Sequence, residues 1–277
     1  MLKKYLLVNF ALGLSLVLGS SYSLRAQFAE SIASGRPGNA NGTNSVGKGV
    51  YQAQIGYNFI NSSLSGSDLK GILPNDRLFQ GADGMFRIGL REDNELRIST
   101  NIFSMDRRNF ENDESIDQSG LENFTIGFRQ TLTQQQGFWP GFCIQFIIDF
   151  GGIGQYKSNN PDPILRLNFV NQLSDNLTIS YNVANRWNVD ESNLSGFYIV
   201  NLAYGLSDKF SLAAEGFGFI REESNAMNGG LGLAYLVNND FQLDLYGSYG
   251  KNYFKGYQSE QALLSLTAGI SYRIVNR

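Results

Sequence analysis

The sequence predicts an all-β chain that closes into a single transmembrane antiparallel up-and-down barrel, and three observations carry that expectation. Apolar residues recur at every second position through almost all of the chain after Gly49. Most of the alternating segments run 9 to 13 residues. Strands of soluble sheets average about 5 to 6, whereas a strand tilted across a bilayer needs roughly 9 to 11. The connections between segments alternate long and short along the chain.

The elements follow from the N-terminus. Lys3 and Lys4 precede an apolar run from Leu6 to Leu18, and small polar residues then lead to "SLRA". That order predicts a secretory signal peptide over 1–26, cleaved after Ala26. The run is too short for the roughly 20 apolar residues of a spanning helix. Loss of Lys3, Lys4 and Arg25 leaves 19 basic residues against 25 acidic, so the formal net charge moves from −3 to −6. A mildly acidic chain without a Lys/Arg run excludes nucleic acid as an expected partner. The single cysteine, Cys143, permits no intrachain disulfide. Residues 27–48 form a periplasmic N-terminal segment, readable as a disordered tail or as a short plug.

The barrel is expected over 49–277. Twelve candidate strands lie near 50–59, 84–91, 95–103, 121–132, 141–150, 164–173, 177–189, 196–206, 210–219, 228–237, 241–250 and 263–275. Long connections hold "INSSLSGSDLKGILPNDRLFQ", "SMDRRNFENDESIDQSG", "GGIGQYKSNNPD", "DESNLS", "IREESNAM" and "KNYFKGYQSEQ", and short ones hold "REDN", "TQQQGFWP", "SDN", "SDK" and "NND". Barrels of the outer membrane show this asymmetry, with short periplasmic turns and longer external loops. An even strand count places both termini on the short-turn, periplasmic side. The long connections at 60–80 and 104–119 read as loops that fold inward or project.

Alternation does not say which face meets lipid. In "LGLAYLVNNDFQLDLYGSYG", Leu231, Leu233, Tyr235 and Val237 alternate, and Phe241, Leu243 and Leu245 resume the pattern after a turn. The opposite faces decide the direction. They carry Arg87, Glu95, Arg97, Arg129, Asp149, Arg166, Arg186, Glu215, Asp244 and Arg273, together with Gly, Ser and Asn. Paired Arg and acid among small residues suits a confined, wet interior, so the oily face is expected against lipid. Those ten residues are the pore-lining candidates, with the arginines facing the acids across the lumen. They either bias a narrow pore toward anionic or polar solutes or pair into a network that fills the barrel. Strand 196–206, "FYIVNLAYGL", is apolar on both faces and leaves its register open. Trp139, Trp187, Tyr198, Tyr204, Tyr235, Tyr249 and Tyr272 fall near strand ends, as interfacial girdles do.

Two segments carry a family likeness. "RPGNANGTNSVGKGVYQAQIGYNF" resembles the start of a Gram-negative outer-membrane family named for phenol degradation by the meta pathway. The matching residues are Arg36, Pro37, Gly47, Lys48, Gly49, Gln52, Gly56 and Tyr57. "GGLGLAYLVNNDFQLDLYGSYG" looks like that family's penultimate hairpin, with Asp244 included, and Glu215 falls at its acidic position. The resemblance implies a barrel with a transport role. It departs at the end "YRIVNR", which lacks a terminal aromatic, so Tyr272 and Ile274 would serve recognition by the assembly machinery.

The chain contains no histidine. That removes Ser-His hydrolases and most zinc sites, so no enzyme, cofactor or metal is expected. Cys143 points inward and reads as a small buried filler. Asp113 with Glu114, and Glu222 with Glu223, read as solvated loop carboxylates. "GADG" (81–84) and "GGIG" (151–154) read as turns. The expected function is a passive outer-membrane channel for small molecules, which the family's label would extend to hydrophobic or aromatic ones. The alternative is a non-conducting barrel that is structural or binds a partner through its loops. Expected partners are outer-membrane lipid, the barrel-assembly machinery during insertion and a small-molecule solute.

Overall fold

The computed structural model describes residues 31–65, 76–109 and 114–276. The expected signal peptide over 1–26 lies outside them. Twelve antiparallel strands close on themselves in sequence order. They are β1 (Val50–Ser65), β2 (Asp76–Gly89), β3 (Asn94–Asn109), β4 (Glu114–Thr133), β5 (Gly141–Gly151), β6 (Lys157–Gln172), β7 (Leu177–Asn188), β8 (Asn193–Gly205), β9 (Phe210–Ile220), β10 (Ser224–Asn238), β11 (Phe241–Phe254) and β12 (Glu260–Val275). The seam is β1 against β12, paired from Val50↔Val275 to Ser65↔Glu260. Closure leaves no edge, so each strand's backbone groups find partners in its two neighbours, the condition for strands to cross hydrocarbon.

The period-two pattern puts the oily residues outside. Leu231, Leu245 and Ile55 are 70%, 58% and 53% exposed, whereas Gln52, Asn168 and Ser271 on the inner face are fully buried. Aromatic rings pair across strands on the outer face near the short-turn end. Phe142, Phe169 and Tyr181 stack at centroid distances of 4.8 and 5.3 Å, and Phe210 meets Tyr235 at 4.6 Å. Such rows suit the bilayer interface, where ring bodies are apolar and phenol groups are wet. The register of β8 is settled. Val200, Leu202 and Tyr204 are exposed, while Ile199 and Asn201 are buried in the lumen.

Two expectations are corrected. Within 60–80 and 104–119 the described residues, 60–65, 76–80, 104–109 and 114–119, are strand and not loop. β1 and β2 stay paired to Ser63↔Asp76, and β3 and β4 to Asn109↔Glu114. The ladder continues past the oily band because backbone pairing does not require apolar side chains. "GADG" is no turn, since 81–84 lie inside β2 and pair with β1 and β3 on both sides. "GGIG" does terminate β5, with Gly151 and Gly154 both at φ 69°.

Candidate functional site

Residues 31–48 thread the lumen. The chain enters at the short-turn end, where the Ile32 amide donates to the Asn239 carbonyl in the β10–β11 turn. It climbs past Ser34, which shares a 2.8 Å hydroxyl bond with Ser271. It turns near Asn39–Asn41 and descends to β1, where the Asn276 amide donates to the Gly49 carbonyl and the Gly49 amide to the Gly89 carbonyl. The inner wall has two chemically distinct sides, and this plug matches both.

Asp83, Asp244 and Glu215 give β2, β11 and β9 an acidic side. Arg36 bridges two of them, with Nη1 2.7 Å from Asp83 and Nε 3.1 Å from Asp244. Asn39 gives its backbone amide and its side-chain Nδ2 to Glu215, which also accepts from the Tyr246 hydroxyl. The other side, on the lower part of β2 and on β3 and β4, is basic. Glu95, fully buried, accepts from Arg87 at 2.8 Å and Arg97 at 2.6 Å, with Arg129 3.9 Å away. Three guanidiniums exceed one carboxylate, and the plug supplies oxygen acceptors to the surplus. Ala33 and Asn44 carbonyls accept from Arg87, the Gly42 carbonyl from Arg129, and Asn41 Oδ1 from Arg97. The Val46 amide returns a donor to Glu95 at 2.8 Å. Buried charges need such partners, because an unpaired one loses its hydration without compensation.

Beyond the plug, toward the end opposite the termini, lies a cavity of about 830 Å³. Asn39 forms part of its floor, and Arg166, Arg186, Phe197, Phe219 and Arg221 part of its wall. Arg186 is held by Asp149 at 3.0 Å and Asp162 at 2.7 Å. Arg221 sits in the β9–β10 turn, where burial and the charge of Arg186 pull its guanidinium pKa below the usual value.

All ten sequence-predicted lumen residues point inward, but their pairing differs from the expected opposition across the lumen. Arg87 and Arg97 meet Glu95 on their own wall, Arg186 meets Asp149, and Arg273 meets the turn residue Asp240 at 2.7 Å. Arg166 donates to Asn168, Asn182 and the Asn39 carbonyl, with no carboxylate within 4.0 Å among the described residues. Asp244 Oδ1 accepts from Arg36 of the plug, and Glu215 accepts from Asn39 of the plug and from Tyr246 and Asn201 of the wall. Sequence reading missed Asp83, hidden in a stretch read as a turn, and Asp162, hidden in a stretch read as a loop. It also missed Asn39 and the lumenal role of Arg36, for which alternation offers no signal in a segment without strand period. Cys143 is fully buried, and its Sγ accepts from Arg129 Nε at 3.1 Å. The Asp113–Glu114 pair lies outside the described side chains. Among the described residues no cluster of His, Cys, Asp and Glu could hold a metal.

The sequence profile of the family described as "Putative MetA-pathway of phenol degradation" matches residues 34–262. The chain belongs to this family. The Arg-Pro opening of this phenol-degradation family member has physical jobs. Arg36 and Pro37 are plug residues, Gly49 takes φ 73° where the plug turns into β1, and Gln52 Nε2 donates to the plug carbonyl of Ala33. A Cβ at Gly56 or Gly269 would run into the Arg36 guanidinium, so the missing side chains make its berth.

Solved structures share the barrel. An outer membrane channel from Pseudomonas putida F1 superposes with a TM-score of 0.65 at 12% identity, covering 86% of this chain and 99% of that one. The NanC porin gives 0.51 at 10% identity, covering 78% and 98%. The CymD monoaromatic hydrocarbon channel gives 0.49 at 8% identity, covering 83% and 90%. The first two superpositions show a shared β-barrel fold. No curated protein sequence matches this chain.

Proposed function

We propose that this family member is a passive outer-membrane channel for small molecules, with both termini on the periplasmic side and residues 31–48 as the plug that sets its permeability. The observation that carries the reading is the bipolar lumen. A closed wall with a lipid-compatible exterior encloses charged residues that are satisfied by a separate, unstranded segment rather than only by one another. A barrel serving purely as a membrane staple could fill its interior with wall side chains alone, as small barrels do. The likeness to a channel and a porin supports the same reading at the level of fold.

Solute would pass the plug by displacing part of it or by a path beside it. The number of plug bonds favours a second reading, in which the lumen stays shut and the barrel does not conduct. Planar-bilayer recording separates the two. Discrete openings whose ion selectivity changes in Arg166→Ala support the channel. A silent barrel that still migrates in a heat-modifiable way and shows β-type circular dichroism supports the second reading. We assign the barrel no catalytic role.

A further inference from the structure

The inner wall is polar almost everywhere, and β8 and β9 break that rule. Ile199 and Phe217 are buried on the lumenal face, and Phe197 and Phe219 pack against them. Ala40 of the plug covers the lower part of this patch. Its upper part is open to the 830 Å³ cavity, which Phe197 and Phe219 line.

Both rings carry a guanidinium. Arg166 Cζ lies 5.4 Å from the Phe197 centroid and Arg221 Cζ 4.9 Å from that of Phe219, while the two rings are 5.0 Å apart. The four side chains thus form a continuous cation–ring–ring–cation row, the two rings tilted by 42°. Neither guanidinium has a carboxylate within 4.0 Å among the described residues, and Arg166 Nη1 makes no hydrogen bond among them. The third cation of the cavity, Arg186, is neutralised by Asp149 and Asp162. The rim carries Glu191, Glu222 and Glu223, whose charges oppose a second negative charge on anything that enters.

The geometry points to this vestibule as a binding site for an amphipathic organic monoanion, a compact apolar body bearing one carboxylate. The carboxylate would meet the Arg221 guanidinium, which makes no hydrogen bond among the described residues, and the apolar body would lie along the Phe219–Phe197 wall toward Arg166. The volume falls within the range of small-molecule sites, roughly 300–1,000 Å³. A charge-assisted bond is about twice as strong as a neutral one, so charge should dominate the selection. The inference names the solute class for the channel proposed above and rests on that reading for any role in transport, though not for the binding itself.

The test is calorimetry on the protein purified from membranes in detergent, with phenylbutyrate, its neutral amide and acetate as probes. Phenylbutyrate should bind about tenfold or more tighter than either control. Arg221→Gln, placed in a turn away from the plug, should lose most of that margin while retaining heat-modifiable migration. Phe219→Ala should weaken phenylbutyrate and leave acetate unchanged. Equal binding of acid and amide, or no binding by the intact barrel, overturns the site. Bilayer recording on the same preparation keeps the two readings apart. Conductance without binding sinks only the site, and selective binding by a silent barrel sinks only the channel.

Discussion

The Arg36 guanidinium donates to Asp244 at 3.1 Å in a place where the Asp244 side chain has no exposed surface. That bond is to Oδ1, and the other oxygen, Oδ2, has no hydrogen-bond partner among the described residues. A carboxylate on the wall of β11 is thus held almost entirely by a residue of the plug. Plug and barrel are energetically one unit, and whatever loosens the plug leaves charge stranded on the wall.

Arg36→Ala tests that dependence. It removes the partner of Asp244 and of Asp83 together, and breaking a buried pair from one side costs about 3–5 kcal/mol, less here because Asp83 is partly exposed. The unfolding temperature of the barrel should fall, and mean single-channel conductance should rise several-fold as the plug leaves its berth. An unchanged conductance would separate the plug from the permeation path.

Glu95→Gln addresses the basic side. The glutamine keeps the volume but removes the charge facing Arg87, Arg97 and Arg129, which lie within 2.8, 2.6 and 3.9 Å. Three guanidiniums would then rely on plug carbonyls and neutral groups. The expected result is a poorly assembling barrel, destabilised by about 3 kcal/mol or more, read from urea titration of the folded band. Restoring part of the stability with Arg97→Gln in the same chain would show that surplus charge, and not lost packing, is responsible.

Much of this arrangement could be read before the structure, and the division follows from physics. The strands announce themselves because every lipid-facing position must be apolar, so Leu231, Leu233 and Leu245 mark one face and Gln242 and Asp244 the other. Lumen candidates follow from parity, which is why Arg87, Glu95 and Arg129 were recognisable one strand at a time. Their partners were not, since pairing depends on which strands face each other around a closed ring and on what fills its middle. The plug is the extreme case. Residues such as Ala33, Gly42 and Val46 act through backbone amides and carbonyls, so their identity carries little trace of the role. The vestibule was hidden for another reason. The inward Phe197 belongs to a strand that is oily on both faces, and only the register of β8 against β9 shows that it and Phe219 face the lumenal cavity together.

Two glycines should respond oppositely to alanine. A Cβ at Gly89 would collide with the Gly47 backbone carbonyl, which cannot rotate away, whereas a Cβ at Gly216 meets nothing within 4 Å. Gly89→Ala should cost about 1–3 kcal/mol by forcing the plug's return limb off the wall. Gly216→Ala, on the lipid face, should stay within about 0.5 kcal/mol of the parent. Equal thermal stability of the two variants would place Gly47 away from β2.

The last prediction concerns pH at the vestibule rim. Asp190, in the β7–β8 turn, accepts from the Asn159 amide at 2.8 Å, Asn160 Nδ2 at 2.6 Å and Ser158 Oγ at 3.1 Å. Those donors, the Asn160 side chain foremost, hold its carboxyl below the ordinary aspartate value of 3.8. A depressed folded value means the tether between this turn and the start of β6 is fully present above the unfolded pKa. It is lost as pH falls through the folded one. Amide exchange at 158–160 and 189–192 should therefore stay protected near neutrality and accelerate only in strong acid, with the β7–β8 barrel wall below unaffected. Asp190→Asn keeps one oxygen acceptor but cannot titrate, so its exchange should be faster than the parent's at neutral pH and flat through the acid range. A parent turn equally mobile at both ends of that range would show that the Asp190 bonds do not order the rim.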